Sequence, residues 1–527
     1  MRACIAALVS LGILLVTTTQ ASAETLYAAA GAQGKPSDLL ILNPADGSVR
    51  CRVGPIGFGV TGLAVNPLTG VLYGTTGNAD ASAPGSLIQI DKTTGAGQVI
   101  VALPSPSPNM PVTFPDITFT SDGTLYGVLY NINVTNSIDL WSVNVNTRAI
   151  TRVSASGFVP TLGPGVMAGG GIAADANNTL YFSGEYTTGP LRTIDRISGH
   201  FSAPIATMNP GVQFQAVTAL AFNAAGTLYG ATLVGGARQS SLVTIDKATA
   251  HITNLGRSVD GLDAIAFDNT EPPTVLMVAS VLPGSRSPQV GHAATAFATI
   301  INAGGAPAKS VCIGLQTEIP ASFTFQTTDP NTNAPTGIQN TAVQIPAGQS
   351  QSFVIAATPG SAFAPLDVTL DYVGTNTVAV DPIVGVNTWL LSGSASQVPD
   401  LVALAATSTR DGIVNIPSAG VAAFAVATVN VGAGGSITAS ADTGGAPVTI
   451  DLTLCQTDPN TGGCISLGGP KPSVTVPIST NDTPTFSIFL TANGPVAFDP
   501  AHNRIFVRFR DAGGVTRGAT SVAVRTQ

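Results

Sequence analysis

Three carboxylates, Asp116, Asp263 and Glu185, are the residues of this sequence whose type could do hydrolytic chemistry. A pair of carboxylates can cleave a glycosidic bond when the two groups lie roughly 5–10 Å apart, one acting as acid and the other as base or nucleophile. The three residues are distant in sequence, so only the fold could bring them together. The alternative role is structural, because a single Asp at a strand start more commonly accepts hydrogen bonds from backbone N–H groups.

Other catalytic and metal-binding patterns are weak. The histidines, His200, His251, His292 and His502, do not have the spacing of zinc ligands. Neither a Gly-x-Ser-x-Gly elbow nor a paired Cys and His indicates an acyl-transfer nucleophile. We therefore predict no cofactor and no catalytic residue, with Asp116, Asp263 and Glu185 as the alternative. Calcium bound by loop carbonyls and Asp or Asn side chains would leave little trace in a sequence.

A repeated dipeptide provides the elements that would position these carboxylates. Leu-Tyr occurs five times at intervals of 46 to 55 residues, as Leu26-Tyr27, Leu72-Tyr73, Leu125-Tyr126, Leu180-Tyr181 and Leu228-Tyr229. An alternating segment and a short turn precede each copy after the first. A second alternating segment follows each copy and ends in Asn or Asp before another turn. Hairpins repeated with a period near 50 residues predict an all-β fold with a β-propeller of four-stranded blades.

The repeats are offset along the chain. The first copy has no opening strand, whereas the segment from Asp263 to Phe267 looks like an opening strand without a Leu-Tyr after it. Pairing of this segment with Thr25 to Ala30 would close a five-bladed propeller over residues 24–269 and remove the free sheet edges. The Leu-Tyr copies and the Ile-Asp-Lys-x-Thr turn at Ile90 to Thr94 resemble secreted bacterial propellers of the NHL and quinoprotein-like groups.

The long connections of such a propeller lie on one side and predict a ligand-binding face. Aromatic rings, amides and a few charges on these loops suit a carbohydrate or protein ligand. In the alternative, some of the rings only fill the mouth of the propeller. The predicted contact residues are Phe114, Tyr130, Asn131, Glu185, Tyr186, Phe214, Arg238 and Asp260.

The C-terminal half contains a different repeated unit. Thr-Asp-Pro-Asn-Thr occurs at Thr328 to Thr332 and again at Thr457 to Thr461, within segments that are similar on both sides of the motif. Two tandem β-sandwiches over residues 272–396 and 400–527 account for this. They resemble the immunoglobulin-like modules of bacterial surface proteins, without the Cys-Trp-Cys pattern of antibody domains.

Residues 1–23 combine Arg2, an apolar stretch and a Gln-Ala-Ser-Ala end, which predicts a secretory signal peptide. Export would allow a disulfide between Cys455 and Cys464, which flank one turn. Cys51 and Cys312 fall in different predicted domains, and we predict that they are separate buried residues. Loss of Arg2 changes the formal charge from −8 to −9. This charge and the absence of basic runs argue against nucleic acid and anionic membranes as partners.

These observations predict a secreted, periplasmic or extracellular protein without a membrane span. The first hypothesis is a non-enzymatic binding or adhesion protein that presents the loop face of the propeller to a carbohydrate or protein. The second is an extracellular carbohydrate-active or lactone-cleaving enzyme that uses Asp116 with Asp263 or Glu185. The third is a structural component of the cell envelope that has no saturable ligand. The sequence gives no indication of the oligomeric state.

Overall fold

The computed structural model describes residues 24–31, 34–104, 113–131, 137–153, 170–184, 190–207, 214–234, 239–417, 420–465 and 468–527. The regular structure of these residues is all-β, and no α-helix occurs among them. The predicted signal peptide lies outside the described residues. No helix in the described part of the chain is long and apolar enough to cross a membrane.

The N-terminal half forms five antiparallel sheets of four strands each. Their strands, in chain order, are β1 (Thr25–Ala29), β2 (Asp38–Leu42), β3 (Val49–Pro55), β4 (Val60–Val65), β5 (Leu72–Thr76), β6 (Ser86–Ile90), β7 (Gly97–Ala102), β8 (Ile117–Phe119), β9 (Leu125–Asn131), β10 (Ser137–Asn144), β11 (Ala149–Arg152), β12 (Gly171–Ala174), β13 (Leu180–Ser183), β14 (Pro190–Ile194), β15 (Ala206–Thr207), β16 (Phe214–Phe222), β17 (Leu228–Val234), β18 (Gln239–Ile245), β19 (Ile252–Arg257) and β20 (Ala264–Asp268). We call this set of sheets the sheet ring.

The first sheet of the ring joins the two ends of this region. Its strand order is β20-β1-β2-β3, and the register places Leu26 opposite Phe267. The predicted pairing of the segment after Asp263 with the first Leu-Tyr strand is therefore observed. The other four sheets each contain four consecutive strands, and the opening strands β4, β8, β12, β16 and β20 contact one another in a closed cycle.

The Leu-Tyr repeat has a physical basis in this arrangement. Every Leu of the repeat is fully buried, in a cluster that includes residues of the preceding sheet. The Tyr packs toward the next sheet, and in three of the five copies its ring lies edge-on or tilted against a Phe at or near the end of the opening strand of that sheet. These pairs have centroid distances of 5.5, 5.4 and 4.9 Å for Tyr73–Phe119, Tyr181–Phe222 and Tyr229–Phe267. One dipeptide thus packs its sheet against both neighbouring sheets.

The C-terminal half forms two units, each with a four-stranded and a five-stranded sheet. The first sandwich contains β21 (Met277–Leu282), β22 (Ser285–Arg286), β23 (Ala294–Asn302), β24 (Ala308–Leu315), β25 (Ala321–Thr328), β26 (Val343–Ile345), β27 (Ser350–Pro359), β28 (Phe363–Val373) and β29 (Thr388–Gly393). The second sandwich contains β30 (Leu401–Ala406), β31 (Ile413–Ile416), β32 (Val421–Asn430), β33 (Gly435–Asp442), β34 (Ile450–Thr457), β35 (Ser473–Ile478), β36 (Thr485–Ala492), β37 (Arg504–Arg510) and β38 (Thr516–Thr526).

The two sandwiches repeat the same strand order. The four-stranded sheets run β21-β23-β27-β25 and β30-β32-β36-β34, and the five-stranded sheets run β22-β29-β28-β24-β26 and β31-β38-β37-β33-β35. Alternate residues of the strands face a core between the sheets, with Phe325, Phe353 and Trp389 at the centre of the first and Phe486 with Phe509 in the second. The repeated motifs of the C-terminal half therefore correspond to a repeated topology.

Two disulfides join described residues. Cys455 and Cys464 form the predicted bond across one turn. Cys51 and Cys312 also form a disulfide, although they are 261 residues apart, so the prediction that they are separate is wrong. The prediction failed because it assigned the two residues to independent domains. In the structure β3 and β24 are in contact, and one apolar core extends from the first two sheets of the ring into the first sandwich.

The two sandwiches are also in direct contact. The Arg286 guanidinium donates to both Asp400 oxygens at 3.0 to 3.4 Å, and Asp400 also accepts the Ser287 N–H. Both Arg286 and Asp400 are largely buried. The Ser285 hydroxyl bonds the backbone of Ala519 across the same junction. Such buried, hydrogen-bonded pairs fix the relative orientation of two units more firmly than exposed ion pairs do.

Candidate functional site

Asp116 lies immediately before the opening strand β8, at the centre of the sheet ring. Its Oδ1 accepts the Ile117 N–H at 2.9 Å, and its Oδ2 accepts the N–H groups of Ile172 and Leu220 at 3.0 and 2.9 Å. Ile172 is in β12 and Leu220 in β16, so one carboxylate joins the opening strands of three sheets. Burial raises the pKa of Asp116 well above its usual value, and the three hydrogen bonds act in the opposite direction.

The opening strands approach one another closely around this carboxylate. A Cβ added to Gly62 of β4 would lie 2.7 Å from the Asp116 Cα, and one added to Gly171 of β12 would lie 2.6 Å from the backbone of Ala219. Contacts this short exclude any larger residue. Gly62 and Gly171 therefore let the opening strands approach one another closely around Asp116.

Asp263 occupies the corresponding position before β20, and its backbone N–H donates to the Ala29 carbonyl at 3.1 Å. Its side chain is partly buried and has no hydrogen-bond partner among the described residues. Burial raises the pKa of Asp263 to about 7. Its charge also raises the pKa of Asp116 by repulsion, which places the two carboxyl groups within electrostatic reach of each other.

The chemistry available to this pair is limited by Asp116. Its side chain has no exposed surface, and both of its oxygens already accept hydrogen bonds. A general acid or nucleophile must come within hydrogen-bond reach of the substrate. Asp263, unlike Asp116, keeps some solvent exposure. The arrangement fits a pair in which the Asp116 carboxylate has a structural role and the neighbouring Asp263 carboxyl group can gain or lose a proton.

Two predicted contact residues of the loop face lie in described segments. Phe114 is fully buried against Gly127, and its carbonyl accepts the Thr75 hydroxyl at 3.0 Å. The Phe114 ring would have to leave the core to touch a ligand. Asp260 is exposed and pairs with Arg257 at 3.1 Å. Both roles in binding stay predictions.

The remaining predicted residues fall at or beyond the edges of the described segments. Glu185, Tyr186 and Arg238 lie outside the described residues. The backbones of Tyr130, Asn131 and Phe214 belong to β9 and β16, and their side chains lie outside the description. In each sheet of the ring, the second and fourth strands end on the side of the ring where the opening strand begins.

Asp80 is a site residue that sequence reasoning missed. It is nearly fully buried in the connection between β5 and β6, where its Oδ2 accepts the Gly59 N–H at 2.6 Å. Its Oδ1 accepts the N–H groups of Ser82 and Ala83 at 2.9 and 2.7 Å. One carboxylate therefore folds its own loop and fastens it to the connection before β4. The only sequence signal is an Asp two residues before Ser82, which is common in turns.

Several clefts line the junction between the sheet ring and the first sandwich. The cleft beside Lys92 has a volume of about 690 Å³. Lys92 pairs with Asp268 at 2.6 Å and with Glu271 at 3.3 Å, and Glu271 also pairs with Lys309 at 2.9 Å. These charges compensate one another within the protein, so the cluster joins the two units and leaves little net charge for a ligand.

Among the described residues, no group of three or more His, Cys, Asp and Glu side chains could hold a metal ion. Calcium bound mainly by loop carbonyls stays a prediction.

No known protein family matches the chain, and no curated protein is similar to it in sequence. Several solved structures have a low level of similarity to this chain. A putative gluconolactonase is 11% identical, with 46% of this chain and 82% of that chain covered and a TM-score of 0.28. A quinoprotein alcohol dehydrogenase-like protein from Bacteroides thetaiotaomicron is 15% identical, with 45% and 68% covered and a TM-score of 0.27. A glycoside hydrolase is 12% identical, with 64% and 92% covered and a TM-score of 0.29. Similarity at this level gives no argument about activity.

Proposed function

We propose that this chain is a secreted, non-enzymatic binding protein. In this proposal the sheet ring is a five-bladed propeller whose long-loop face binds a carbohydrate or a protein. Two immunoglobulin-like sandwiches support the propeller from its other side. Signal-peptide cleavage before Glu24 and the two disulfides fit an oxidising compartment outside the cytoplasm.

The observation that carries the proposal is the environment of Asp116. This residue is the best candidate for a catalytic acid by its position, but it is fully buried and accepts backbone N–H groups from three opening strands. A carboxylate used in this way stabilises the centre of the ring and is unavailable to a substrate. The centre then acts as a rigid frame for the loops that surround it.

The position at which the first sandwich is attached to the sheet ring also supports the proposed binding function. Contacts to the sandwich come from the outer strand β3, from the turn that holds Lys92 and from the chain exit after β20, where Glu271 pairs with Lys309. The turn and the exit belong to the end of the ring with short connections, and β3 is an outer edge. The sandwich is thus attached away from the long loops, as a support for a binding face would be.

Replacing residues 131–136 with a short Gly-Ser linker tests the proposal. The mature chain, residues 24–527, is screened on immobilised glycans and on cell-envelope fractions, with and without calcium. We expect saturable binding that the loop replacement abolishes without changing the thermal unfolding midpoint. The control replaces the turn at 443–446 of the second sandwich with the same linker and should retain binding. Binding that survives the loop replacement would contradict a role for this face.

Asp263 supports hydrolysis as a second candidate function. Its pKa of about 7 would allow it to carry a proton at neutral pH, as a general acid must. This candidate predicts that Asp263→Asn abolishes turnover of a panel of glycosides and lactones while binding changes no more than several-fold. Turnover by the wild-type chain that Asp263→Asn removes would favour the enzyme, whereas the absence of turnover by the wild type would exclude it for that panel.

A further inference from the structure

The four-stranded sheets of the two sandwiches expose outer faces that are almost free of charge. None of the residues in β21, β23, β25 and β27 is charged, and Asp451 is the only charged residue in β30, β32, β34 and β36. The five-stranded sheets of the same sandwiches contain ten charged residues in their strands. Among the strands of each sandwich, the charged residues are therefore concentrated in the five-stranded sheet.

Large apolar side chains are exposed on the uncharged side. In the first sandwich, Val278 and Leu282 of β21 are 51% and 55% exposed, and Phe297 and Ile301 of β23 are 39% and 46% exposed. The register places Val278 beside Ile301 and Leu282 beside Phe297, so the four side chains form two apolar pairs on one face, with Ser280 and Thr299 between them. The outer face of an antiparallel sheet that meets only water would carry polar residues at these positions.

The second sandwich repeats the feature. Leu404 of β30 is 45% exposed and Val421 of β32 is 60% exposed, and the outward residues between them on β32 are Ala423, Ala425 and Ala427. Both strands occupy the same positions in the strand order as β21 and β23. We call the outer surfaces of the two four-stranded sheets the apolar faces. A contiguous exposed apolar patch on a soluble protein usually marks an interaction surface.

We propose that two copies of this chain associate by packing their apolar faces against each other. A second copy offers a surface of the same polarity and the same strand spacing, and sheets pack readily face to face. The uncharged faces avoid the repulsion that the negative charge of the chain would cause elsewhere. An anionic membrane would require basic residues, and the strands of the four-stranded sheets contain none.

The available area is sufficient for such a contact. Four strands about 4.8 Å apart, each about eight residues long at about 3.3 Å per residue, cover roughly 500 Å². Two such faces on each copy would bury about 2,000 Å² in total, which is the size of a stable interface. One face alone would bury about 1,000 Å² in total, near the lower limit. The dimer would present two loop faces, and bivalency would increase its avidity for a repetitive ligand.

Sedimentation velocity of the mature chain between about 1 and 100 µM tests this inference. We expect a concentration-dependent dimer whose dissociation constant rises at least tenfold in Val278→Lys and in Phe297→Lys. Leu404→Lys in the second sandwich gives an independent test of the second face. Val384→Lys is the matched control, because Val384 is 44% exposed but lies outside both faces. Circular dichroism checks that each variant is folded.

A wild-type chain that stays monomeric at 100 µM would overturn the inference. So would a dimer that none of the folded lysine variants weakens. A monomeric chain that instead binds neutral lipid vesicles or another protein through the apolar faces would also overturn it, because the occupant would then not be a second copy.

Discussion

Asp116 is a buried carboxylate whose hydrogen bonds indicate a structural role. Its three hydrogen bonds come from the backbone of three sheets, and backbone donors cannot be removed by substitution of a neighbouring side chain. The position was predicted from sequence as an axial carboxylate. Its engagement by Ile172 and Leu220 could not be predicted, because it depends on contacts between strands that are far apart in the chain.

Asp116→Asn should destabilise the protein. The Asn side chain has one acceptor oxygen, so its amide nitrogen would face a backbone N–H group in a fully buried site. Leaving one buried donor unsatisfied costs about 1–3 kcal/mol. Thermal unfolding monitored by circular dichroism should show a lower midpoint for this variant. Asp260→Asn, which changes an exposed carboxylate, should leave the midpoint nearly unchanged, and an equally stable Asp116→Asn would contradict the structural role.

Asp263 should make the stability depend on pH. Burial raises its pKa from 3.8 to about 7, so the folded protein binds this proton more tightly than the unfolded chain does. The stabilisation is fully present below about pH 4 and is lost as the pH rises to about 7. Because Asp263 keeps some solvent exposure, we expect a loss of about 1–2 kcal/mol, less than the full shift implies. Unfolding midpoints between pH 4 and 8 should fall less in Asp263→Asn than in the wild type.

The sheets of the ring depend on contacts that the Leu-Tyr repeat provides. Phe222→Ala removes the ring that packs on Tyr181 at 5.4 Å and that also lies beneath the Lys247 ammonium at 5.3 Å. Loss of such a pair costs about 0.5–1.5 kcal/mol in addition to the lost burial. Urea unfolding should show a lower midpoint for Phe222→Ala. Phe498→Ala should have a smaller effect, since Phe498 is 52% exposed, and an effect of equal size would argue against the role of the aromatic pair.

Sequence patterns predicted the strands well because their signals are local. Each Leu-Tyr strand, each turn that ends in Asn or Asp, and the repeated unit around the Thr-Asp-Pro-Asn-Thr motif lies within a short stretch of chain. Asp329 and Asp458 each accept two N–H groups of that turn, which is why the motif recurs. The long loops of the predicted binding face have no comparable pattern, so their residues were chosen by type and not by a structural signal.

The whole molecule is held together by contacts between its units. Cys51 and Cys312 link the ring to the first sandwich, and the pair of Arg286 and Asp400 links the two sandwiches. Neither link has a signal in the sequence, because each depends on how complete sheets pack. The orientation of the sheet ring relative to the sandwiches is therefore a property that only the structure reveals.

Removing the long-range disulfide should destabilise the protein more than removing the short one. Cys51 and Cys312 enclose 261 residues, whereas Cys455 and Cys464 are 9 residues apart. Loop-closure entropy predicts a loss of roughly 5–6 kcal/mol for the first and roughly 2–3 kcal/mol for the second. Thermal unfolding of Cys51→Ala/Cys312→Ala and of Cys455→Ala/Cys464→Ala should show this order. A larger effect of the short bond would mean that the ring and the first sandwich hardly depend on their covalent link.

The central claim is that the long-loop face binds a ligand without turning it over, and a binding isotherm of residues 24–527 on immobilised glycans tests it most directly. Wild type, Tyr186→Ala and Phe498→Ala are measured side by side, since Phe498 is an exposed aromatic residue of the second sandwich. We predict saturable binding that Tyr186→Ala weakens at least tenfold and Phe498→Ala leaves unchanged. Saturable binding that is equal in all three proteins, or none in the wild type, would contradict the account.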